Sequence, residues 1–357
     1  MRPKSKAKLS VLGMLDLLPG LASVVAVGIL SVLTGLFRGQ RDAPSLHLHI
    51  AYAVLRKATS RLSPLQLQFI SPLTEVVYLQ YARSAKVKPE TVALGAGGAR
   101  AHWLGNKEAA NVLIWYHGGG FCLPANRAYF QFLESLVASS QKSGQDLAVF
   151  VLTYTLAPGA THPTQLTQAV EALRYILDEA GRRPSRVLIG GDSAGGNLVM
   201  GVLSHLAHRH PAIPELDICE PLAGAVGIAP WTLIGEDHGD RDIYCGGDLI
   251  TPAVDKPWSS AFLGGSDKDY FTSASTAPRS WLAAFPVKRV LILGGGNEIM
   301  LPAIEDLAEK LQAALPNVEL FIGHREAHVA PVYNMLVGDN TETMQGKKVK
   351  AWLRETL

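Results

Sequence analysis

Cysteine is scarce in this chain of 357 residues: Cys122, Cys219 and Cys245 are the only three, and none lies in a C-x-x-C pair. That spacing argues against a disulfide framework and against a zinc site, and leaves a single bridge open in an oxidising compartment. Excess charge is also lacking. A formal balance of +2 offers no basic surface for nucleic acid, and helix-turn-helix, zinc-finger and basic-aromatic sheet motifs are absent, so no nucleic-acid partner is expected. No N-x-[ST] acceptor occurs, so glycosylation says nothing about location. None of the 11 histidines falls in ligand spacing with partners, so neither a metal nor a cofactor is expected. Internal repeats and low-complexity tracts are missing as well. With 48% hydrophobic and 18% charged residues, the chain suffices for one large α/β domain with additions, or for two small ones.

One long apolar run is present. Arg2, Lys4, Lys6 and Lys8 precede it, and from Leu17 to Phe37 it carries no charge. As a helix that stretch would extend ~30 Å, about the thickness of a bilayer core. Asp16 and the apolar continuation to Phe37 argue against a cleaved signal peptide, and a buried core helix would show a polar stripe that this run lacks. Residues 17–37 are therefore expected to contact the membrane, with Pro19-Gly20 able to kink the helix or make it re-entrant. The basic flank favours a cytosolic N-terminus. The expectation is a single-pass protein of the endoplasmic reticulum whose bulk is lumenal; oligomeric state stays open.

Downstream, residues 43–85 have helical periodicity, with Leu46, Ile50, Ala53 and Val54 on one face and a break near Pro72. Gly95 to Gly98 reads as a turn. Beyond it, apolar runs short enough for buried strands (112–116, 147–153, 187–190, 225–229, 290–293, 318–322) alternate with helical patterns, as in a mostly parallel sheet. The alternation lapses between Leu233 and Phe285, a Gly-, Asp-, Pro- and Trp-rich stretch that reads as an insertion. The division expected is 1–40 as basic flank and membrane anchor, 41–90 as cap helices, and 91–357 as the α/β domain with its insertion at about 233–285.

Two glycine-rich motifs stand at strand ends. Gly191-Asp192-Ser193-Ala194-Gly195 has the G-x-S-x-G form of a nucleophile elbow, in which a serine sits on a sharp strand-to-helix turn and glycines let the neighbouring backbone pass close. Earlier, His117-Gly118-Gly119-Gly120-Phe121 follows a strand directly. Successive glycines let main-chain N–H groups converge, as stabilising a tetrahedral oxyanion requires. The expected donors are Gly118, Gly119 and Gly120, with Ala194 after the serine. A phosphate loop would need Gly-Lys-Ser/Thr, which does not follow. Asp192 reads as structural, Cys122 as packing, and Phe121, Tyr154 and Trp231 as candidate pocket walls.

His-Gly-Gly-Gly-Phe followed by Gly-Asp-Ser-Ala-Gly-Gly-Asn resembles the hormone-sensitive-lipase-type branch of the α/β-hydrolases, with particular similarity to membrane-anchored steryl acetate hydrolases and arylacetamide deacetylases. The resemblance covers roughly residues 40–357. It implies an α/β-hydrolase fold, a mostly parallel central sheet flanked by helices under a helical cap. It also implies cofactor-free hydrolysis of a carboxylic ester, such as an acetate of a hydrophobic alcohol. An acid and a histidine should then follow the serine, each after a later strand. Glu298 follows the 290–293 strand. Two histidines, His324 and His328, follow the 318–322 strand, and the family pattern, a histidine just before Val-x-Pro, selects His328. Asp240, Asp242 and Asp248 fall in the insertion and are weaker candidates for the acid. The chain departs from the family at Pro302, where an Asp usually stands four residues after the acid. The expected chemistry is an acyl-enzyme on Ser193, with His328 as base and Glu298 orienting it. Acyl transfer or a cyclising step would use the same residues. A non-catalytic ligand receptor, as the related gibberellin receptors are, would have lost the base, and this chain keeps it.

Overall fold

The apolar runs after Asn111 fold as the parallel body of a sheet because neither face of them can be turned to water. The computed structural model describes residues 8–95, 97–235 and 245–357. β3 (Asn111–Tyr116), β4 (Leu147–Thr153), β5 (Val187–Asp192), β6 (Gly224–Ile228) and β7 (Val290–Gly295) are buried along their whole length, and β8 (Val318–Gly323) is half-buried. With β1 (Thr91–Leu94) and β2 (Ala99–Leu104) they form one sheet ordered β1-β2-β4-β3-β5-β6-β7-β8. The pairs from β4 to β8 are parallel; β1 and β2 pair antiparallel with each other, and β2 with β4. The hairpin of β1 and β2 spans the glycine-rich stretch that reads as a mere turn in the sequence. Thr91, Val92 and Ala93 alternate too briefly to signal a strand without their partner.

Helices cover both faces. α1 (Val11–Thr34), α2 (Leu46–Arg61), α3 (Pro64–Ile70) and α4 (Thr74–Ala85) precede the sheet. α5 (Arg127–Lys142) starts at Asn126, whose side chain accepts the Ala128 N–H, and packs on β4. α6 (Thr164–Arg174) and α7 (Ala194–His208) lie together on the opposite face. The insertion contributes α8 (Asp255–Leu263) and the short α9 (Arg279–Leu282). α10 (Leu301–Ala314) begins with Pro302 in its first turn, where a missing N–H removes no helical bond. α11 (Ala330–Leu336) follows β8, and α12 (Met344–Thr356) closes the chain against β6, β7 and β8.

α1 is long and apolar enough to cross a membrane by length and composition. It runs through Pro19 without interruption. α3 opens with a reciprocal cap: Ser63 Oγ accepts the Gln66 N–H and Gln66 Oε1 accepts the Ser63 N–H.

Register places the functional loops. Tyr116 pairs with Gly191 across β3 and β5, and Gly295 with Gly323 across β7 and β8. The loops after these four strands therefore emerge side by side at the carboxyl edge, where parallel α/β sheets hold their sites.

α12 seals the sheet with Trp352, which is fully buried against Gly224; a Cβ there would lie 2.5 Å from the indole. Trp352→Ala should leave a cavity and cost about 3–5 kcal/mol, read as a lower urea midpoint for the full chain in detergent with an unchanged slope.

Candidate active site

Ser193 sits between β5 and α7 with φ 49° and ψ −118°, a strained conformation for a residue with a side chain. Its N–H donates to the Ile228 carbonyl (2.9 Å), and its own carbonyl accepts the N–H groups of Asn197 (3.0 Å) and Trp231 (2.9 Å). The turn is this tight only because of its glycines. A Cβ on Gly195 would lie 1.8 Å from the Tyr116 carbonyl oxygen, and one on Gly191 would lie 2.4 Å from the Gly195 oxygen. Asn197, the last residue of the motif, donates from Nδ2 to the carbonyls of Trp231 (2.7 Å) and Thr272 (2.6 Å), tying α7 to the segment after β6 and to the insertion.

The glycine loop after β3 is held beside the elbow by Asp192. This carboxylate is fully buried and accepts from Trp115 Nε1 (3.2 Å), the Gly118 N–H (3.1 Å) and Tyr129 Oη (2.6 Å). Burial pushes its pKa up to about 6, against the hydrogen bonds and the charge of His328 that lower it. The Gly118 N–H is thereby spent: it points at Asp192 and Tyr129, not at a reacting oxygen. Gly118 thus leaves the expected donor set. Among the described residues, the N–H groups of Gly119, Gly120 and Ala194 have no protein acceptor. A Cβ on Gly120 would lie 2.0 Å from the Trp258 ring of α8.

Two of the three expected pocket walls stand elsewhere. Phe121 is fully buried and stacks on Phe262 at 3.6 Å between ring centroids. Tyr154 lies behind the glycine loop, its ring on His117 at 4.3 Å and its Oη donating to the His117 carbonyl (2.8 Å). Both are aromatic at a strand end, and packing of the strand end decides their place. Trp231 does line the cavity, with Trp258.

After β7 and β8, Glu298 and His328 come together. His328 Nδ1 donates to Glu298 Oε1 at 3.1 Å, both side chains being almost entirely buried. The other Glu298 oxygen accepts the Gly295 N–H. Burial pulls the His328 pKa down, but the hydrogen bond and charge of Glu298, with the charges of Asp248 and Asp192, outweigh it and raise the pKa above the ordinary value. His324 is exposed. Ser193, His328, Gly119 and Gly120 open onto one cavity of about 560 Å³, walled largely by apolar side chains of α2, α3 and the insertion.

Asp248, the weaker candidate from the insertion, belongs to this site. Fully buried, it accepts the His328 N–H on Oδ1 (3.0 Å) and the Ile299 N–H on Oδ2 (2.9 Å), so one carboxylate joins the loop of His328 to the loop of Glu298. Burial pushes its pKa up to about 6. Its backbone is held in turn by α2, because Arg56 donates to the carbonyls of Gly246 and Asp248. Asp240 and Asp242 lie outside the described residues. Tyr129 and Trp258 had no signal in the sequence beyond being aromatic.

None of the three cysteines forms a disulfide, and burial raises the Cys122 thiol to about 12, which keeps it unreactive. His162, His210 and Asp269 bring ligand-type atoms within 4.8 Å of one another. His210 Nδ1 accepts the Ala212 N–H at 3.1 Å. A neutral His210 then carries its proton on Nε2, so neither ring nitrogen offers a lone pair and the group makes a poor metal site.

A family profile described as alpha/beta hydrolase fold matches residues 113–331. Steryl acetyl hydrolase 1 of Saccharomyces cerevisiae is 25% identical over 240 residues, covering 62% of this chain and 54% of that protein. Arylacetamide deacetylase of Bos taurus is 36% identical over 105 residues, 28% of this chain and 26% of that protein. The matched part of the chain thus spans little more than half the length of the yeast relative. Among solved structures, carboxyl esterase 2 of the fungus Tuber melanosporum superposes with a TM-score of 0.62 at 22% identity, covering 76% of this chain and 87% of that one. An esterase from the bacterial hormone-sensitive lipase family superposes with a TM-score of 0.60 at 20% identity, covering 95% and 98%. The glycine loop, the elbow, the order of strands and the matched profile agree: the chain belongs to the α/β-hydrolase-fold family, in its hormone-sensitive-lipase-type branch.

Proposed function

We propose that this protein is a membrane-associated serine esterase that removes an acetyl or other short acyl group from a hydrophobic alcohol. The observation that carries the proposal is the convergence on one largely apolar cavity of Ser193, His328 and the unpartnered N–H groups of Gly119 and Gly120. Relatives named as an acetyl hydrolase and a deacetylase support the acyl group, and the apolar walls support the alcohol. Attachment to the membrane is assigned to α1.

In this mechanism His328 takes the Ser193 proton through Nε2 as Oγ adds to the ester carbonyl, while Glu298 holds the other ring nitrogen and stabilises the imidazolium. Gly119, Gly120 and Ala194 donate to the tetrahedral oxyanion. The C–O bond to the alcohol then breaks, the alcohol leaving with the proton from His328. Water, deprotonated by His328, releases the acid from Ser193. Asp248 is a positioning residue: it fixes the backbone of the base and of the acid, and touches neither substrate nor reacting proton.

A fluorophosphonate should label Ser193 and no other residue, and Ser193→Ala should abolish both labelling and hydrolysis of p-nitrophenyl acetate, by on the order of 10⁶-fold in kcat. Labelling that survives in Ser193→Ala would remove the serine from its role.

His328 must be neutral to act, and its pKa lies above the ordinary 6.5. Activity should therefore be full at alkaline pH and fall as pH drops through a value above 6.5. Glu298→Gln removes the main upward influence, so kcat should drop by on the order of 10⁴-fold while the acid limb of kcat/KM moves to lower pH.

Asp248→Ala leaves three buried N–H groups, those of Leu249, Ile299 and His328, without their acceptor, at a cost of about 1–3 kcal/mol each. It should lower kcat more than it raises KM. Asp248→Asn should recover part of kcat by keeping one carbonyl oxygen, and should move the acid limb down by less than Glu298→Gln does. An acid limb unmoved in Asp248→Asn would reduce Asp248 to a folding role.

A further inference from the structure

α1 lies along the molecule. Gly20 faces Leu62 and Arg61, Gly28 faces Val54, and Gly35 faces Leu46 and His49, so α1 and α2 run antiparallel and side by side over most of their length. A Cβ on Gly20 would lie 2.5 Å from a Leu62 methyl, and one on Gly35 would lie 2.4 Å from a Leu46 methyl, so the α2 side chains pack directly on the glycine backbone at these positions. Polar contacts fasten both ends. Arg61 of α2 donates to both oxygens of Asp16, at 2.9 and 2.6 Å. Gln66 of α3 donates to the Gly13 carbonyl (3.0 Å) and to Asp16 Oδ2 (3.1 Å), and Thr34 Oγ1 lies 3.2 Å from His49 Nε2.

α2 is itself part of the folded body. It buries Leu48, Tyr52 and Ala53, and Tyr52 Oη donates to Asn334 Oδ1 at 2.5 Å. To set α1 across a bilayer would therefore draw α2, with Arg56, Lys57 and Arg61, into hydrocarbon, where cations are costly. The face of α1 turned away from α2 is apolar throughout: Leu15, Leu18, Val25, Ile29, Leu33 and Leu36 are exposed, at spacings of three, four or seven residues. Lys8 stands before the helix, and Arg38 and Arg41 after it, placed to meet anionic headgroups. α3 links this face to the site, since Gln66 holds α1 while Leu67 and Ile70 line the cavity.

We propose that α1 lies in the plane of one membrane leaflet, its outer face among the acyl chains and both its ends on the side of the esterase domain. The single occupant of that face is the lipid leaflet. The cap helices then rest on the membrane, and Ile70 and Leu336, exposed residues that line the cavity, bring its rim to the leaflet. A hydrophobic ester dissolved in that leaflet reaches Ser193 without crossing water. The inference rests on the membrane attachment proposed above and replaces a spanning anchor by an in-plane one.

The test uses the full chain, with one peptide tag before Met1 and another after Leu357, in sealed microsomes. Protease should treat the two tags alike, both cut or both protected. Tags on opposite faces would overturn the in-plane arrangement and leave the attachment standing, whereas a chain found wholly in the soluble fraction would overturn both. In parallel, the combined variant Leu15→Ser, Leu18→Ser, Ile29→Ser and Leu33→Ser should lose at least tenfold in co-flotation with phosphatidylcholine–phosphatidylserine vesicles. Its hydrolysis of water-soluble p-nitrophenyl acetate should stay unchanged, which shows that the domain is folded. Undiminished flotation, or loss only of self-association in light scattering, would overturn the lipid as occupant.

Discussion

Two buried carboxylates hold this site together. Burying a carboxylate is costly unless its oxygens are met by donors, and both Asp192 and Asp248 are met by main-chain N–H groups of loops that must stay in register. Asp192 receives Trp115 of β3, Gly118 of the glycine loop and Tyr129 of α5. Asp248 receives the N–H groups of His328 and Ile299. One carboxylate aligns the glycine loop with the turn that carries Ser193, and the other aligns the loop of His328 with the loop of Glu298. Their negative charge also reaches His328, where both reinforce the upward shift that Glu298 dominates. The residues that open onto the cavity are positioned by residues that do not.

Such an arrangement explains which features are visible in the sequence. The elbow, the glycine loop, the strand before Glu298 and the strand before His328 are local: each is an apolar run followed by residues whose backbone or side chain must meet a close neighbour. Gly195 cannot be larger because Tyr116 is adjacent, and that constraint is written at the position itself. The choice between His324 and His328 needs the family pattern, because both histidines follow β8; burial separates them only once the loop is folded.

Features that depend on a distant partner are not visible. Asp248 looks like one of several acidic residues in an irregular insertion, and only the folded chain brings it between Ile299 and His328. Gly118 satisfies every sequence criterion for an oxyanion donor, yet its N–H is taken by a carboxylate 74 residues downstream. Phe121 and Tyr154 are sent to the layer behind the loop by Phe262 and His117, contacts that no spacing rule reports. β1 and β2 are too short and too mixed to be read without each other. The apolar α1 and the periodic α2 are each legible as helices, but the packing of one along the other is not, because glycines spaced eight and seven residues apart reveal a packing face only when something lies against it.

The same dependence ties the N-terminal helices to the site. Pro302 removes the carboxylate that the family pattern places four residues after the acid, and it leaves a sound first turn of α10 in exchange. The carboxylate that spans the two loops comes instead from the insertion, and the backbone of that carboxylate is held by Arg56 of α2. α2 also supplies cavity walls at Leu55, Ala58 and Thr59, and carries α1 on its outer side. One helix therefore contacts the apolar α1, the cavity that Ser193 opens onto and, through a single buried residue, the main chain of His328. A shift of α2 on the body of the protein would alter the shape of the cavity and the orientation of His328 together, so both are set by one packing surface.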